Sequence, residues 1–221
     1  QQNVFGQYDV TRYNALGQVD ASARHVSALS LDGAGQPIIP AFDPSIPDQD
    51  VATHYGYDGL GRTILVTETG MLSGTLTTST LTYSAATSRV TRTEYDDQSR
   101  PVTVTLNYRP GLPETPDTNL QTLTYYDGAG NVIWQRDALG RWTKTEYDAR
   151  NRPVKVIRNY QDGDPTTSPF DADSITVTTY DTLGRVATQI DSYVNGSFTT
   201  AALDEDRITA FTYDQLGLSL I

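Results

Sequence analysis

Polar and apolar positions alternate along short stretches of this chain. In Thr143-Lys144-Thr145-Glu146-Tyr147 the odd positions share one side and the two charged residues the other. Thr176, Thr178 and Tyr180 repeat the pattern, and Val186, Thr188 and Ile190 resume it a few residues later. A period of two is that of a half-buried β-strand. No long window keeps a 3.6-residue apolar period without an interruption by Gly, Pro or a Thr cluster, so helices are not expected. The elements predicted are strands, and the fold class is all-β.

A short signature stands between paired strands. Tyr57-Asp58-Gly59-Leu60-Gly61-Arg62 recurs as Tyr180-Asp181-Thr182-Leu183-Gly184-Arg185. Weaker copies carry Tyr95, Asp96 and Arg100; Tyr126, Asp127 and Gly130; Tyr147, Asp148, Asn151 and Arg152; and Tyr213, Asp214 and Gly217. Tyr13-Asn14-Ala15-Leu16-Gly17-Gln18 is a further copy. Leu31 to Gln36 and Arg136 to Arg141 have lost the Tyr. Strand, Asp-x-x-Gly, strand reads as a β-hairpin on a type I turn. The Asp accepts hydrogen bonds from turn amides, and the fourth residue takes a positive φ. Positive φ is therefore expected at Gly17, Gly61, Gly130, Gly140, Asn151, Gly184 and Gly217, with Ser99 the poorest fit to that conformation. Counting outward from a four-residue loop pairs Tyr147 with Arg152, Thr145 with Val154 and Thr143 with Val156, all on one face. The other face carries Lys144, Glu146, Lys155 and Ile157, and elsewhere Leu65 and Ile133. The recurrence of Arg beside Tyr suggests guanidinium stacking across each hairpin, worth about 0.5–1 kcal/mol when exposed.

The signature organises the whole chain, 1–221, as one hairpin array, with degenerate repeats over 1–56 and clearer ones over 57–217. From Tyr147 to Tyr180 to Tyr213 the spacing is 33 residues each time. The extra length falls at one point of the repeat: polar loops at 109–119, 161–174 and 194–207, the first two after Asn107-Tyr108 and Asn159-Tyr160. Such loops are either a row of partner contacts or tolerated insertions, since added loop length costs little. A lone hairpin is marginal, but stacked hairpins cover one another's edges and gain stability repeat by repeat.

Composition narrows the function. There are 32 Thr, 14 Tyr and 17 Gly, but only Lys144 and Lys155 as lysines. A net charge of −11 argues against a nucleic-acid partner, which needs clustered Lys and Arg. No apolar run reaches the length of a membrane span. The absence of cysteine excludes disulfides and thiol catalysis. His25 and His54 have no ligand partner at a fitting spacing. Asp162, Asp164, Asp171 and Asp173, and the pair Asp48 and Asp50, lack the spacing of a calcium loop. Asp recurs for a conformational reason, so carboxylate pairs carry no catalytic information. No catalytic site, metal or cofactor is read from the sequence. Trp134, Trp142 and the many Tyr raise a glycan-stacking alternative; the competing reading is a Tyr ladder packed between hairpins.

Tyr-Asp-x-x-Gly-Arg at these spacings resembles the YD-repeat, or Rhs, family, which includes bacterial Rhs toxins, C components of insecticidal toxin complexes, and teneurins. The resemblance covers nearly the whole chain, most strongly Tyr57 to Gly217. It implies stacked hairpins that spiral into a hollow shell, which in the bacterial toxins encloses a C-terminal effector polypeptide. Asp43-Pro44-Ser45-Ile46 and Asp164-Pro165-Thr166-Thr167 lack the Gly of that family's Asp-Pro-x-Gly self-cleavage motif. The expectation is a non-enzymatic, secreted or surface scaffold, a segment of a longer shell. Its partners would be neighbouring repeats, identical copies or an enclosed polypeptide. The alternative is a glycan-binding adhesion module.

Overall fold

The computed structural model describes residues 6–41, 51–77, 80–160, 173–193 and 207–214, with the backbone alone described over 70–87. Among the described residues there are thirteen strands: β1 (Tyr8–Tyr13), β2 (Val19–Val26), β3 (Val51–Tyr57), β4 (Thr63–Thr77), β5 (Thr80–Tyr95), β6 (Pro101–Leu106), β7 (Leu120–Tyr126), β8 (Val132–Arg136), β9 (Trp142–Tyr147), β10 (Pro153–Arg158), β11 (Ser174–Tyr180), β12 (Val186–Asp191) and β13 (Arg207–Ala210). There is no helix among the described residues. The fold is all-β, built of antiparallel hairpins in succession.

Two units divide the chain, residues 1–121 and 122–221. In the first, β1 to β6 lie in sequence order, each antiparallel to the next. In the second, β7 to β13 do the same. Strict alternation of direction puts the Tyr-bearing turns of each unit at one end of its strands. The other connections fall at the opposite end. In the first unit that end holds the loop from Asn107 to Asn119 and the Leu31 to Gln36 copy of the signature; in the second it holds the Arg136 to Arg141 copy. The 161–174 and 194–207 insertions lie outside the described residues except at their last positions, Asp173, Ser174 and Arg207.

The hairpin register differs from the simple count. Tyr147 pairs with Pro153, Thr145 with Val156 and Thr143 with Arg158, rather than with Arg152, Val154 and Val156. Two one-residue slips cause this. The turn closes with Asp148 N–H to Arg152 C=O at 2.9 Å and Asn151 N–H to Asp148 C=O at 3.0 Å. Its left-handed fourth residue adds one position to the exit strand. A bulge then leaves Val154 unpaired between Pro153 and Lys155. The same bulge recurs at Asp20, Ile64, Val102, Ile133 and Ala187. A single slip would exchange the two faces of the sheet; two restore them. Thr145 and Val156 therefore still share a face, as do Lys144 and Ile157.

Among the described residues buried apolar side chains are few. Val10, Ala23, Val26 and Ala52 form a small cluster with Tyr8 and Ile39 packed against it. In the second unit Ile157 and Ile175 are buried. Most other strand positions are half-exposed. Cohesion therefore rests on the main-chain ladder, on cross-strand pairs and on the contacts between successive turns.

Candidate functional site: the ladder of turns

Each turn is built on the residue that opens it, Asn14 in the first Tyr-bearing turn and an aspartate in the others. Asp58 Oδ1 accepts the amides of Leu60 and Arg62, both at 2.9 Å, and its Oδ2 accepts Arg62 Nε at 2.7 Å. Asp96, Asp137 and Asp148 repeat all three bonds with Arg100, Arg141 and Arg152 at the turn exit. Asp181 bonds the amide and the Nε of Arg185. Asp127 uses Asn131 in place of Arg. The fourth residue has positive φ at Gly17, Gly61, Gly130, Gly140, Asn151 and Gly184. Gly217 lies outside the described residues, as does the turn after Asp214. Ser99, expected to fit worst, adopts the same conformation at φ 63°. The reason is a neighbour: Arg62 Nη1 donates to Ser99 Oγ at 3.2 Å and to the Asp96 carbonyl at 3.1 Å.

The Tyr and Arg of the signature join successive hairpins. Tyr57 donates its hydroxyl to the Val19 carbonyl at 2.7 Å, and Tyr95 to Thr63 at 2.9 Å. In the second unit Tyr147 reaches Val132, Tyr180 reaches Pro153 and Tyr213 reaches Val186, at 2.8–3.0 Å. In every case the acceptor is the residue paired with the Tyr of the preceding turn. The guanidinium stacking expected within a hairpin occurs between hairpins instead. Arg62 lies over the Tyr95 ring at 4.7 Å, Arg152 over Tyr180 at 4.1 Å and Arg185 over Tyr213 at 4.2 Å. The bond from Nε to its own Asp ties each guanidinium to its own turn, and the ring it covers belongs to the next hairpin. Gln18, where other copies have Arg, instead donates to the Gly61 carbonyl at 3.3 Å. The two copies without Tyr make tight turns as well, but at the opposite ends of the strands.

These bonds hold the aspartates ionised. The Arg62 amide, the largest influence, lowers the Asp58 pKa below its usual 3.8, and the Arg100 amide does the same for Asp96. The Asn131 side chain leads for Asp127. At Asp137 and Asp181 burial pushes upward, but the bonds from Arg141 and Arg185 outweigh it. Asp148 is lowered furthest, to about 2, chiefly by the Arg152 side chain. Carboxylates so occupied are structural anions, not free bases.

Sequence reading missed a second recurrent device. Asn107, Asn159 and Ser192 have φ of 50–55°, and the Tyr after each donates its amide to the strand before: Tyr108 to Val90, Tyr160 to Trp142 and Tyr193 to Ile175. The recurring Asn-Tyr was visible, and Asn is the commonest non-Gly residue with positive φ. His25 occupies a similar conformation at φ 56°, and its amide bonds Asp9. His54 lies in β3 opposite Thr67. Among the described residues no three His, Asp or Glu side chains converge as metal ligands; Asp48, Asp50, Asp162, Asp164 and Asp171 lie outside them. No helix among them is long and apolar enough to cross a membrane.

No model of a known protein family matches this chain. No curated protein matches it either. Among solved structures it is similar to TcdB2-TccC3, at 14% identity and a TM-score of 0.39 over 91% of this chain and 12% of that one. The Tc holotoxin pore of Photorhabdus luminescens aligns at 14% identity and a TM-score of 0.18, over 87% of this chain and 12% of that one. A porin-like protein of Bacteroides uniformis aligns at 15% identity and a TM-score of 0.17, over 76% and 80% of the respective chains. The chain thus spans about an eighth of the length of the toxin chains to which it is similar.

Proposed function

We propose that this chain is a non-enzymatic wall element: a stretch of a secreted or surface-displayed YD-type shell that encloses or presents another polypeptide, or assembles with copies of itself. One observation carries the reading. The recurrent Tyr, Asp and Arg, the groups best suited to chemistry, are spent on closing turns and bonding each hairpin to its neighbour. A wall needs that, and a catalytic site would need the same groups free. The Tyr-Asp-x-x-Gly-Arg signature supports the same reading through its resemblance to the shell-forming family.

The wall reading makes a demand on the margins of the array. At β13, the Phe211 amide donates inward to the Ala187 carbonyl at 2.9 Å. Strand alternation then turns the Thr212 amide away from β12, toward the side on which the array adds its next strand. Flanking repeats or identical copies cover that edge. Light scattering on the 221-residue chain at low and high concentration tests this. Oligomers that dissociate on Thr212→Pro, with the β circular dichroism retained, are expected, because Pro removes one outward donor. A monomer at every concentration would refute self-assembly, and turnover of ester, peptide or glycan substrates by the purified chain would refute the non-enzymatic reading.

A further inference from the structure

One hairpin of the first unit outgrows the repeat. β4 and β5 have 15 and 16 residues, where the other strands have 4 to 8. Their neighbours reach only to residues 69 and 88. Thr69 Oγ1 donates to the Ala52 carbonyl at 3.1 Å on one side, and Arg109 Nη2 donates to the Ser88 carbonyl at 2.7 Å on the other. Past these points β4 and β5 go on pairing with each other as far as Thr77 and Thr80. No third strand joins them there among the described residues. Residues 69–88 thus form a two-stranded arm with two open edges.

The composition of the arm breaks with the rest of the chain. The 16 basic and 27 acidic residues all lie outside it. The next longest uncharged stretch, 192–203, has 12 residues against 20 here. The register sorts the arm by face. Gly74 stands opposite Tyr83 and Leu76 opposite Leu81 on one face; Ser73 opposite Ser84, Thr75 opposite Thr82 and Thr77 opposite Thr80 occupy the other. An open edge held in water is usually guarded by Lys or Pro against stray pairing, and the arm has neither. Apolar residues alternating with small hydroxyl residues, without charge, are the pattern of a strand that separates lipid from water.

We propose that this arm inserts into a lipid bilayer, with its Leu76–Leu81 face toward the acyl chains and its Ser-Thr face toward water. The length fits. Residues 69–77 and 80–88 give nine per strand, about 30 Å when extended, and a strand crosses a bilayer in about 9–11 residues. Charge marks the base: Glu68 and Arg89 pair across the hairpin at 2.6 Å, and entry stops there at the headgroups. The far end favours lipid over a protein partner. Residues 77–80 are Thr, Thr, Ser and Thr, so no charge has to pass through the hydrocarbon. Docking onto a second chain would leave the tip in water and would not require this. Within the bilayer, arms of several copies lie side by side and satisfy one another's outer amides and carbonyls, as in a closed barrel. The inference goes beyond the wall reading and does not rest on it, because the arm extends past its neighbours whatever the array encloses.

The full chain is floated with vesicles of phosphatidylcholine, alone or mixed with phosphatidylglycerol, and release of a trapped dye is followed. Flotation with the neutral vesicles and dye release are expected, both weaker with phosphatidylglycerol because the chain carries −11. Tyr83→Arg, midway along the apolar face, should lower the partition about tenfold or more; Thr82→Arg, its neighbour on the other face, should stay within about threefold of the native chain. Circular dichroism and the melting temperature check that the array stays folded in both variants. Four results would overturn the proposal. These are no flotation with neutral vesicles, flotation that requires phosphatidylglycerol, equal losses from Tyr83→Arg and Thr82→Arg, or lipid-free oligomers that Tyr83→Arg dissolves while no dye is ever released. The last would mean that a second copy covers the apolar face.

Discussion

Arg152 and Arg62 occupy the same place in two copies of the turn, but their outer nitrogens meet different partners. Arg62 Nη1 finds the hydroxyl of Ser99. Arg152 Nη1 is buried without an acceptor, and the residue in the place of Ser99 is Gly184. A Cβ built on Gly184 would stand 3.5 Å from that nitrogen, an ordinary contact, so a serine hydroxyl one bond further on can reach it. Gly184→Ser and Gly184→Ala then differ in that one hydrogen bond. Both place a β-carbon at φ 87°, which costs about 1–2 kcal/mol. Only serine supplies an acceptor to a charged donor, worth about 1.5–3 kcal/mol when buried. Because the Arg152 side chain is a quarter exposed, about 1 kcal/mol is the better expectation. Alanine should therefore lose about 1–2 kcal/mol and serine about 1 kcal/mol less, a gap of about 2–4 °C in melting temperature for a chain of this size. Urea and thermal unfolding followed by circular dichroism measure both variants. In an Arg152→Lys background, which lacks the outer nitrogen, the gap should close to within about 0.5 kcal/mol. Equal stability of the two variants in the native background, or a gap that survives Arg152→Lys, would refute the reasoning.

Other outcomes follow from the same ladder. Tyr57→Phe deletes the bond to the Val19 carbonyl and should cost about 0.5–1.5 kcal/mol in urea unfolding; no change would mean that the hydroxyl holds nothing. Acid should destabilise the protein through the turn aspartates. Asp148 is held at about 2 against an ordinary 3.8, so the unfolded chain binds more protons between those values. The stabilisation is complete above about pH 5 and is lost as pH falls toward 2, the other lowered turn aspartates acting in the same direction. Melting temperature should be flat from neutrality to about pH 5 and decline below, less steeply in Asp148→Asn; a decline centred near pH 6–7 would contradict this. Leu60→Ser and Leu183→Ser, at turn tips where the side chains are 75% and 76% exposed, should shift stability by less than about 0.5 kcal/mol.

The local chemistry of this protein was legible in its residues. Alternation named the strands, and Asp-x-x-Gly named the turns and the positive φ of Gly61, Gly130, Asn151 and Gly184, because both are short-range steric requirements. The faces were legible too, with Thr145 beside Val156 and Lys144 beside Ile157. The register was not. The unpaired Val154 and its counterparts add a residue that the turn count omits, and the adjacent apolar pairs Ile64-Leu65 and Val132-Ile133 were the available sign. Partnership between hairpins also lay beyond the sequence. Tyr and Arg recur together in four of the motifs, at Tyr57, Tyr95, Tyr147 and Tyr180, but which ring an arginine covers depends on where the next hairpin stands, and Asp148 fixes the guanidinium toward Tyr180 rather than Tyr147. Ser99 shows the same dependence, since its left-handed turn is supported by Arg62, 37 residues away. The gathering of the Tyr125, Trp134, Trp142 and Tyr160 rings needed the bulges, the register and the left-handed Asn159 together. Periodicity dictates what a strand can offer to each face; only the pairing of strands decides which offerings meet.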